Sequence, residues 1–291
     1  MKPAAFQYHR PGSVAEAVEV LGQLEDEGRI LAGGQSLVPL MNFRLAQPTD
    51  VVDINRLGDL DYVRAEDGTV RVGALARQST VESDAAVAER VPLLTEALSF
   101  VAHPTIRHRG TVVGSVAHAD PAAELPSVVL ALEATVTLRG GGGERQVPAE
   151  DFFLGPFETA IEPGELAVEV AFPTSPPGTG YAFEEFARRL GDFAVAGAAV
   201  TLTLRDGAVA DPRIVLCGVG PVPLRARAAE ASLEGTAADQ EAIEAAGIAA
   251  LEGVEPPGDM HGGTRYRIGV ARAQVRRAIA KAVERAKGEQ R

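Results

Sequence analysis

Apolar positions along the chain alternate between short β-type runs and helical stripes. After the Pro11-Gly12 break, Ser13 and Glu16 have capping-box spacing, and Val14, Ala17, Val18, Leu21 and Leu24 recur at helical intervals, which predicts a first amphipathic helix. Residues 29–32 read as a short strand under that helix, and residues 51–54, between Pro48 and Asn55, as a second. Between them RILAGGQSL (29–37) carries a β-type run into two glycines and a hydroxyl, with Ser36 placed to cap a helix over 37–45. Glycine lets the backbone turn and come close where a side chain would clash, and free N–H groups suit an anion such as a phosphate. Strand, Gly-Gly and helix also describe an ordinary βα turn, so this stretch alone leaves both readings open.

Beyond Leu60 the pattern is mixed. Residues 70–72 predict a strand and 91–102 an apolar helix with Pro92 in its first turn. A second loop stretch, TIRHRGTVVGSVAHADPAAELP (105–126), again sets glycines and hydroxyls between basic residues and a helix start; Asp120 is placed as cap of a helix running to about Glu133, with Pro121 first. A strand over 134–138 then meets Gly140 to Gly143, which reads as a hairpin tip and not a phosphate loop because no helix follows it. PTSPPGTG (173–180) is the clearest linker. Past it, 181–186, 197–204 and 213–219 predict three antiparallel strands, and 225–233, 240–251 and 264–286 predict helices. The expected organisation is three units: 1–57 (α/β), 58–175 (mixed) and 176–291 (sheet and helices).

Composition narrows the function classes. With 28 Lys and Arg against 40 Asp and Glu, the net charge of −12 disfavours nucleic acid and anionic membrane as partners. No apolar run is long enough to span a bilayer, and MKPAAFQYHRPGS lacks the apolar core of a secretory signal, so a cytoplasmic location is expected. Cys217 is the single cysteine, which rules out an internal disulfide and an iron–sulfur cluster held by this chain; it reads as a buried small hydrophobe. Ser115, His118 and Asp120 are triad residue types, but they lie within six residues and lack a nucleophile elbow. His118 and Asp120 have no third metal ligand nearby, and His103, His108 and His261 show no ligand spacing. No catalytic residue and no metal ligand is therefore assigned.

The motifs AGGQSL (32–37), TVVGS (111–115), DFFLGPFET (151–159), GDFAVAGAAV (191–200) and VGPVPLRA (219–226) stand in one order over nearly the whole chain. In these the chain resembles the FAD-binding medium subunits of the molybdenum hydroxylases, the carbon monoxide dehydrogenase and xanthine dehydrogenase family. The resemblance implies an α+β fold: a PCMH-type FAD-binding domain in two parts, a small α/β unit and a larger mixed one, followed by a C-terminal domain of a three-stranded antiparallel sheet with helices.

Carried over position by position, it places Ile30, Leu31, Ala32, Gly33, Gly34, Gln35, Ser36 and Leu37 with Thr111, Val113, Gly114 and Ser115 on the pyrophosphate and ribityl chain of FAD, and Glu124 on a ribose hydroxyl. Val101 with Ala102, and Leu166 with Ala167, fall beside the isoalloxazine or adenine; Phe193, in GDFA, reads either as a contact of the flavin ring or as core at a strand start. Two departures stand out. Val113 replaces a glycine and denies the loop a glycine-only conformation; Glu184 lies near a position held by lysine in xanthine-oxidising relatives, for which Arg188 or Arg189 is the substitute cation.

The resemblance further implies non-covalent FAD, since Gln35 in the first loop is no nucleophile. It implies a large partner subunit with molybdopterin cytosine dinucleotide and a small one with [2Fe-2S] clusters, assembled as a dimer of heterotrimers, with electrons passing through the clusters to FAD and on to NAD or a quinone. A self-sufficient flavin oxidase and a flavin-free scaffold of the same fold are the alternatives.

Overall fold

In the computed structural model, which describes residues 2–24 and 26–289, the chain builds three main sheets. The first comprises β1 (Gln7–His9), α1 (Val14–Leu24), β2 (Gly28–Leu31), α2 (Leu37–Asn42) and β3 (Asp50–Asp53), with β3 central and parallel to both neighbours. The capping residues of α1 act as their spacing predicts: Ser13 Oγ accepts from Glu16 N at 3.1 Å, and Glu16 Oε2 from Gly12 N at 2.7 Å. β1 escapes the sequence pattern because its three residues are largely exposed and carry no apolar alternation; pairing with β3 creates it.

The second unit runs through β4 (Val63–Glu66), β5 (Thr69–Gly73), α3 (Gln78–Ser83), α4 (Ala85–Arg90), α5 (Pro92–Leu98), α6 (Pro104–Arg107), α7 (Val112–His118), α8 (Glu124–Ala131), β6 (Thr135–Gly140), β7 (Gly143–Pro148), α9 (Ala149–Phe152), β8 (Phe153–Gly155), β9 (Glu158–Thr159) and β10 (Leu166–Pro173). Its five-stranded sheet has the order β4-β5-β10-β6-β7, with antiparallel neighbours, and Gly140 pairs Gly143 at a hairpin tip. The apolar helix expected to reach residue 102 stops at Leu98, and Ala102 takes a left-handed backbone (φ 44°).

The third comprises β11 (Gly180–Ala187), β12 (Ala194–Arg205), β13 (Ala208–Cys217), β14 (Leu224–Arg225), α10 (Arg227–Leu233), α11 (Gln240–Ala249) and α12 (Thr264–Glu289). The antiparallel sheet has four strands, not the expected three: β14 is a two-residue strand whose pairing to β13 leaves no periodic trace in sequence. Its inner strands are apolar on both faces because both are covered. Phe183, Ala199, Val215 and Cys217 join the core of the second unit beside α5 and α8, while the intervening Ala182, Ala198, Val200 and Leu216 pack under α12. Phe100 meets Phe183 edge-on at 5.3 Å across this seam. Glu96 of α5 pairs with Lys281 and Arg285 of α12, so ionic contacts reinforce the apolar ones. Among the described residues no helix is long and apolar enough to cross a membrane.

Candidate functional site

The two glycine loops meet. β2 is an edge strand of the parallel sheet, paired with β3, and the loop 32–36 leaves from its C-terminal end. A Cβ on Gly33 would lie 2.5 Å from the carbonyl of Arg109 and 2.7 Å from Cα of Gly110, so the first loop packs on the second with backbone touching backbone. Two side chains that sequence reasoning passed over brace this junction. Asn55 Nδ2 donates to the carbonyl of Ala32 at 2.8 Å, its Oδ1 accepts from Arg77 at 2.7 Å, and the same Arg77 donates to the carbonyl of Arg109 at 2.7 Å. Arg77 also pairs with Thr111 in an isolated antiparallel bridge, which fixes the entry to α7. Nothing in their local pattern marks Asn55 or Arg77; only the fold brings strand end and loop together.

Neither of the two caps predicted for these loops forms, and a third residue caps instead. Thr111 caps α7, its hydroxyl accepting from Gly114 N at 3.0 Å. Ser36 stands at the N-cap position of α2 without capping it, and the helix ends at Asn42 instead of Leu45, where Phe43 caps it and Arg44 turns left-handed (φ 60°). Among the described residues the N–H groups of Gly33, Gly34, Gln35 and Ser36 donate to no protein acceptor. Asp120 does not cap α8. It closes a turn on Ala122 N at 2.9 Å, and the helix begins at Glu124, after Ala123. Val113 lies inside α7 with ordinary helical backbone, 2% exposed, so the glycine-only conformation is not used there.

Around this junction lies a cavity of about 840 Å³, the size of a cofactor site. Most of the residues the sequence singled out line it: Ile30, Ala32 to Leu37, Val101, Ala102, Thr111, Val113 to Ser115, Glu124, Leu166, Ala167 and Phe193. Leu31 lies outside the lining, with its side chain beside Gly34. Arg188 is exposed and lies outside the lining, as does Glu184, whose carboxylate bonds Lys281 at 3.1 Å. The chain segment after β11 does reach the cavity, through Gly191, Asp192 and Phe193, with Gly191 packed on the ring of His103. His118 meets Phe157 at 5.2 Å with the rings tilted by 49° at another wall, and burial holds its imidazole below the usual histidine range, against the pull of Asp120. Burial pushes the carboxyl of Glu124, 4% exposed, up to about 7.

A dinucleotide suits these walls. They offer unpaired backbone donors for a diphosphate, apolar surface for rings, and a buried acid that accepts or donates hydrogen bonds to hydroxyls. Gln78, 4% exposed and on the same lining, packs its Oε1 against Gly110 and leaves it without a hydrogen-bond partner.

The model for the FAD binding domain in molybdopterin dehydrogenase matches residues 4–175, and that for the CO dehydrogenase flavoprotein C-terminal domain matches residues 181–282. The chain belongs to the FAD-binding medium subunits of the molybdenum hydroxylases. It is thus an oxidoreductase subunit whose cofactor is FAD. Subunit alpha of the 6-hydroxypseudooxynicotine dehydrogenase complex of Paenarthrobacter nicotinovorans is 44% identical over 99% of this chain and 97% of its own. The carbon monoxide dehydrogenase medium chain of Hydrogenophaga pseudoflava is 42% identical over 96% and 97%. A solved carbon monoxide dehydrogenase from that organism, lacking the Mo-pyranopterin moiety of the molybdenum cofactor, contains a chain that superposes with a TM-score of 0.96 at 44% identity, over 98% of this chain and 99% of that one. The medium-subunit fold is therefore shared from end to end.

Proposed function

We propose that this chain is the electron-transfer subunit of a multisubunit molybdenum hydroxylase, holding FAD non-covalently in the cavity between its two glycine loops. The observation that carries the reading is the junction at Gly33 and Gly110, which leaves a run of free N–H groups facing a cavity of cofactor size. Gly33 to Ser36 would donate to the diphosphate from one side, and Thr111, Gly114 and Ser115 would hold it from the other. Glu124 would meet a hydroxyl of the ribose or ribityl chain, and Val101, Leu166 and Ala167 would bound the rings. When bound, FAD supplies the exchange between one-electron and two-electron carriers. The protein's part is to bind and orient it and to keep most of it from water.

One buried cysteine ligates no cluster, so the electrons must come from a partner. By likeness to the medium chains, the partners are a small subunit with [2Fe-2S] clusters and a large one with molybdopterin cytosine dinucleotide, in a dimer of heterotrimers. An external acceptor such as NAD or a quinone drains the flavin. The test is to load the isolated chain with FAD, reduce it chemically and follow reoxidation by NAD, quinone or a dye, then assay hydroxylase substrates with and without co-expressed partners. Acid precipitation should leave the yellow colour in solution, and substrate turnover should need the partners. Steady oxidation of an organic substrate by the isolated chain would overturn the reading in favour of a free-standing oxidase.

A further inference from the structure

α12 has two apolar faces, and only one of them meets the rest of the chain. The inner face, through Ala271, Val275, Ala278 and Ile279, packs into the core of the third unit. Over the first half of the helix a different face, with Tyr266, Gly269, Val270 and Ala273 at helical spacing, lines an open groove of about 740 Å³ together with Phe186 of β11. Tyr266 is 48% exposed and Phe186 38%. A surface helix ordinarily turns polar and charged residues outward, so an apolar strip between two exposed aromatic side chains marks a surface for another molecule. A Cβ on Gly269 would meet no atom within 4 Å, so the groove is open above it.

The polar groups of the groove are left without partners. Elsewhere on α12 Arg267 pairs with Asp259, Arg276 with Glu244, Lys281 with Glu96 and Glu184, and Arg285 with Glu96. Arg265 and Arg277, which bracket the helical wall, form no ion pair among the described residues, and no acid lines the groove. Between them Gln274, 2% exposed, lines the groove with an amide that has no hydrogen-bond partner among the described residues. An enclosed amide without a partner is costly, and rotation about its last torsion lets it offer either a donor or an acceptor.

The spacing selects the occupant. Arg265 and Arg277 are twelve residues apart, which on a helix is about 18 Å. No small anion meets both, whereas a polypeptide segment does. A second copy of this chain offering the same face would set arginine against arginine, so an isologous contact is disfavoured. We propose that the groove docks a segment of a partner subunit that presents apolar side chains to Gly269 and Ala273 and carboxylates to Arg265 and Arg277. The proposal rests on the reading that the chain works inside a multisubunit complex. The run of chain that lines the groove at Phe186 goes on to line the flavin cavity at Gly191 and Phe193, so the docked segment lies within a few residues of a wall of the cofactor site.

The experiment uses the complex formed by co-expression with the partner subunits. Arg265→Glu combined with Arg277→Glu should raise the dissociation constant of the complex at least about tenfold, because each reversal sets like charges together. Gly269→Leu, which fills the groove without altering its charge, should weaken assembly as well. All three positions are exposed, so the isolated variants should keep the melting temperature and FAD content of the wild type, which separates docking from folding and from the cavity assignment. Ala273→Cys places a reactive thiol in the groove, while Cys217, 1% exposed, stays out of reach. A benzophenone label on that thiol should crosslink to an acidic segment of a partner subunit in the assembled complex. Crosslinks to a second copy of this chain alone, or assembly unchanged by the double reversal, would overturn the proposal and leave the subunit reading standing. A wild-type chain that joins no partner would overturn both.

Discussion

Gly33 and Val113 are both loop positions, yet the structure gives them opposite demands. At Gly33 the space is already filled by the backbone at Arg109 and Gly110, neither of which can rotate away. Gly33→Ala must therefore part the two loops, at about 1–3 kcal/mol by the usual cost of overpacking. FAD affinity should fall by at least about tenfold, since that corresponds to only ~1.4 kcal/mol of lost contact. Val113 has a helical backbone and a buried side chain, so Val113→Gly should not improve the loop by restoring a glycine. Removing a buried valine and placing glycine inside a helix should together cost about 2–4 kcal/mol. Denaturant unfolding of the FAD-free proteins, with FAD titrations alongside, checks both. An unfolding midpoint unchanged in Val113→Gly would contradict its placement in the core.

At the scale of elements, two acids at the seam between the second and third units set a pH dependence. Glu124 of α8 and Glu185 of β11 both have raised values in the folded chain, so the fold binds their protons more tightly than the unfolded chain does. The sign follows: their contribution is intact below the ordinary value of 4.5 and is lost as pH rises toward about 7 for Glu124 and about 8 for Glu185. The FAD-free wild type should lose stability across that window, and Glu185→Gln should flatten the curve, most visibly at its alkaline end. Melting temperatures measured at intervals through the window check this. Parallel curves for the two proteins would mean that Glu185 is ionised and satisfied by some other group.

On the scale of the whole molecule, the cavity draws walls from all three units: the loop after β2, α7 with the start of β10, and the segment Gly191 to Phe193. A ligand that touches all of them binds only the assembled chain and should stabilise it as one body. Excess FAD at a hundredfold its dissociation constant gives about 2.7 kcal/mol, or a rise of roughly 5 °C in melting temperature for a chain of this size. Hydrogen exchange should slow together at residues 33–36, 111–115 and 191–193. Protection confined to the first loop would show that the C-terminal unit does not close the site.

Sequence alone determined what depends on neighbours in the chain. The capping box before α1, the long strands around Arg205-Asp206-Gly207, the hairpin tip at Gly140 and the chemistry of the two glycine loops are local, because period, turn residues and caps act over a few positions. The order of the motifs was legible as well and carried the family. Contacts distant in sequence were not legible, since pairing partners and solvent exposure are properties of the assembled chain. That is why β1 and β14 left no periodic signal, why Ser36 and Asp120 looked like caps, and why Arg188 was placed at a cavity that its exposed side chain does not line. Only the tertiary structure set Asn55 and Arg77 as the brace between the loops. It likewise enclosed Oε2 of the half-buried Glu185, because the dielectric around a carboxylate depends on what packs over it.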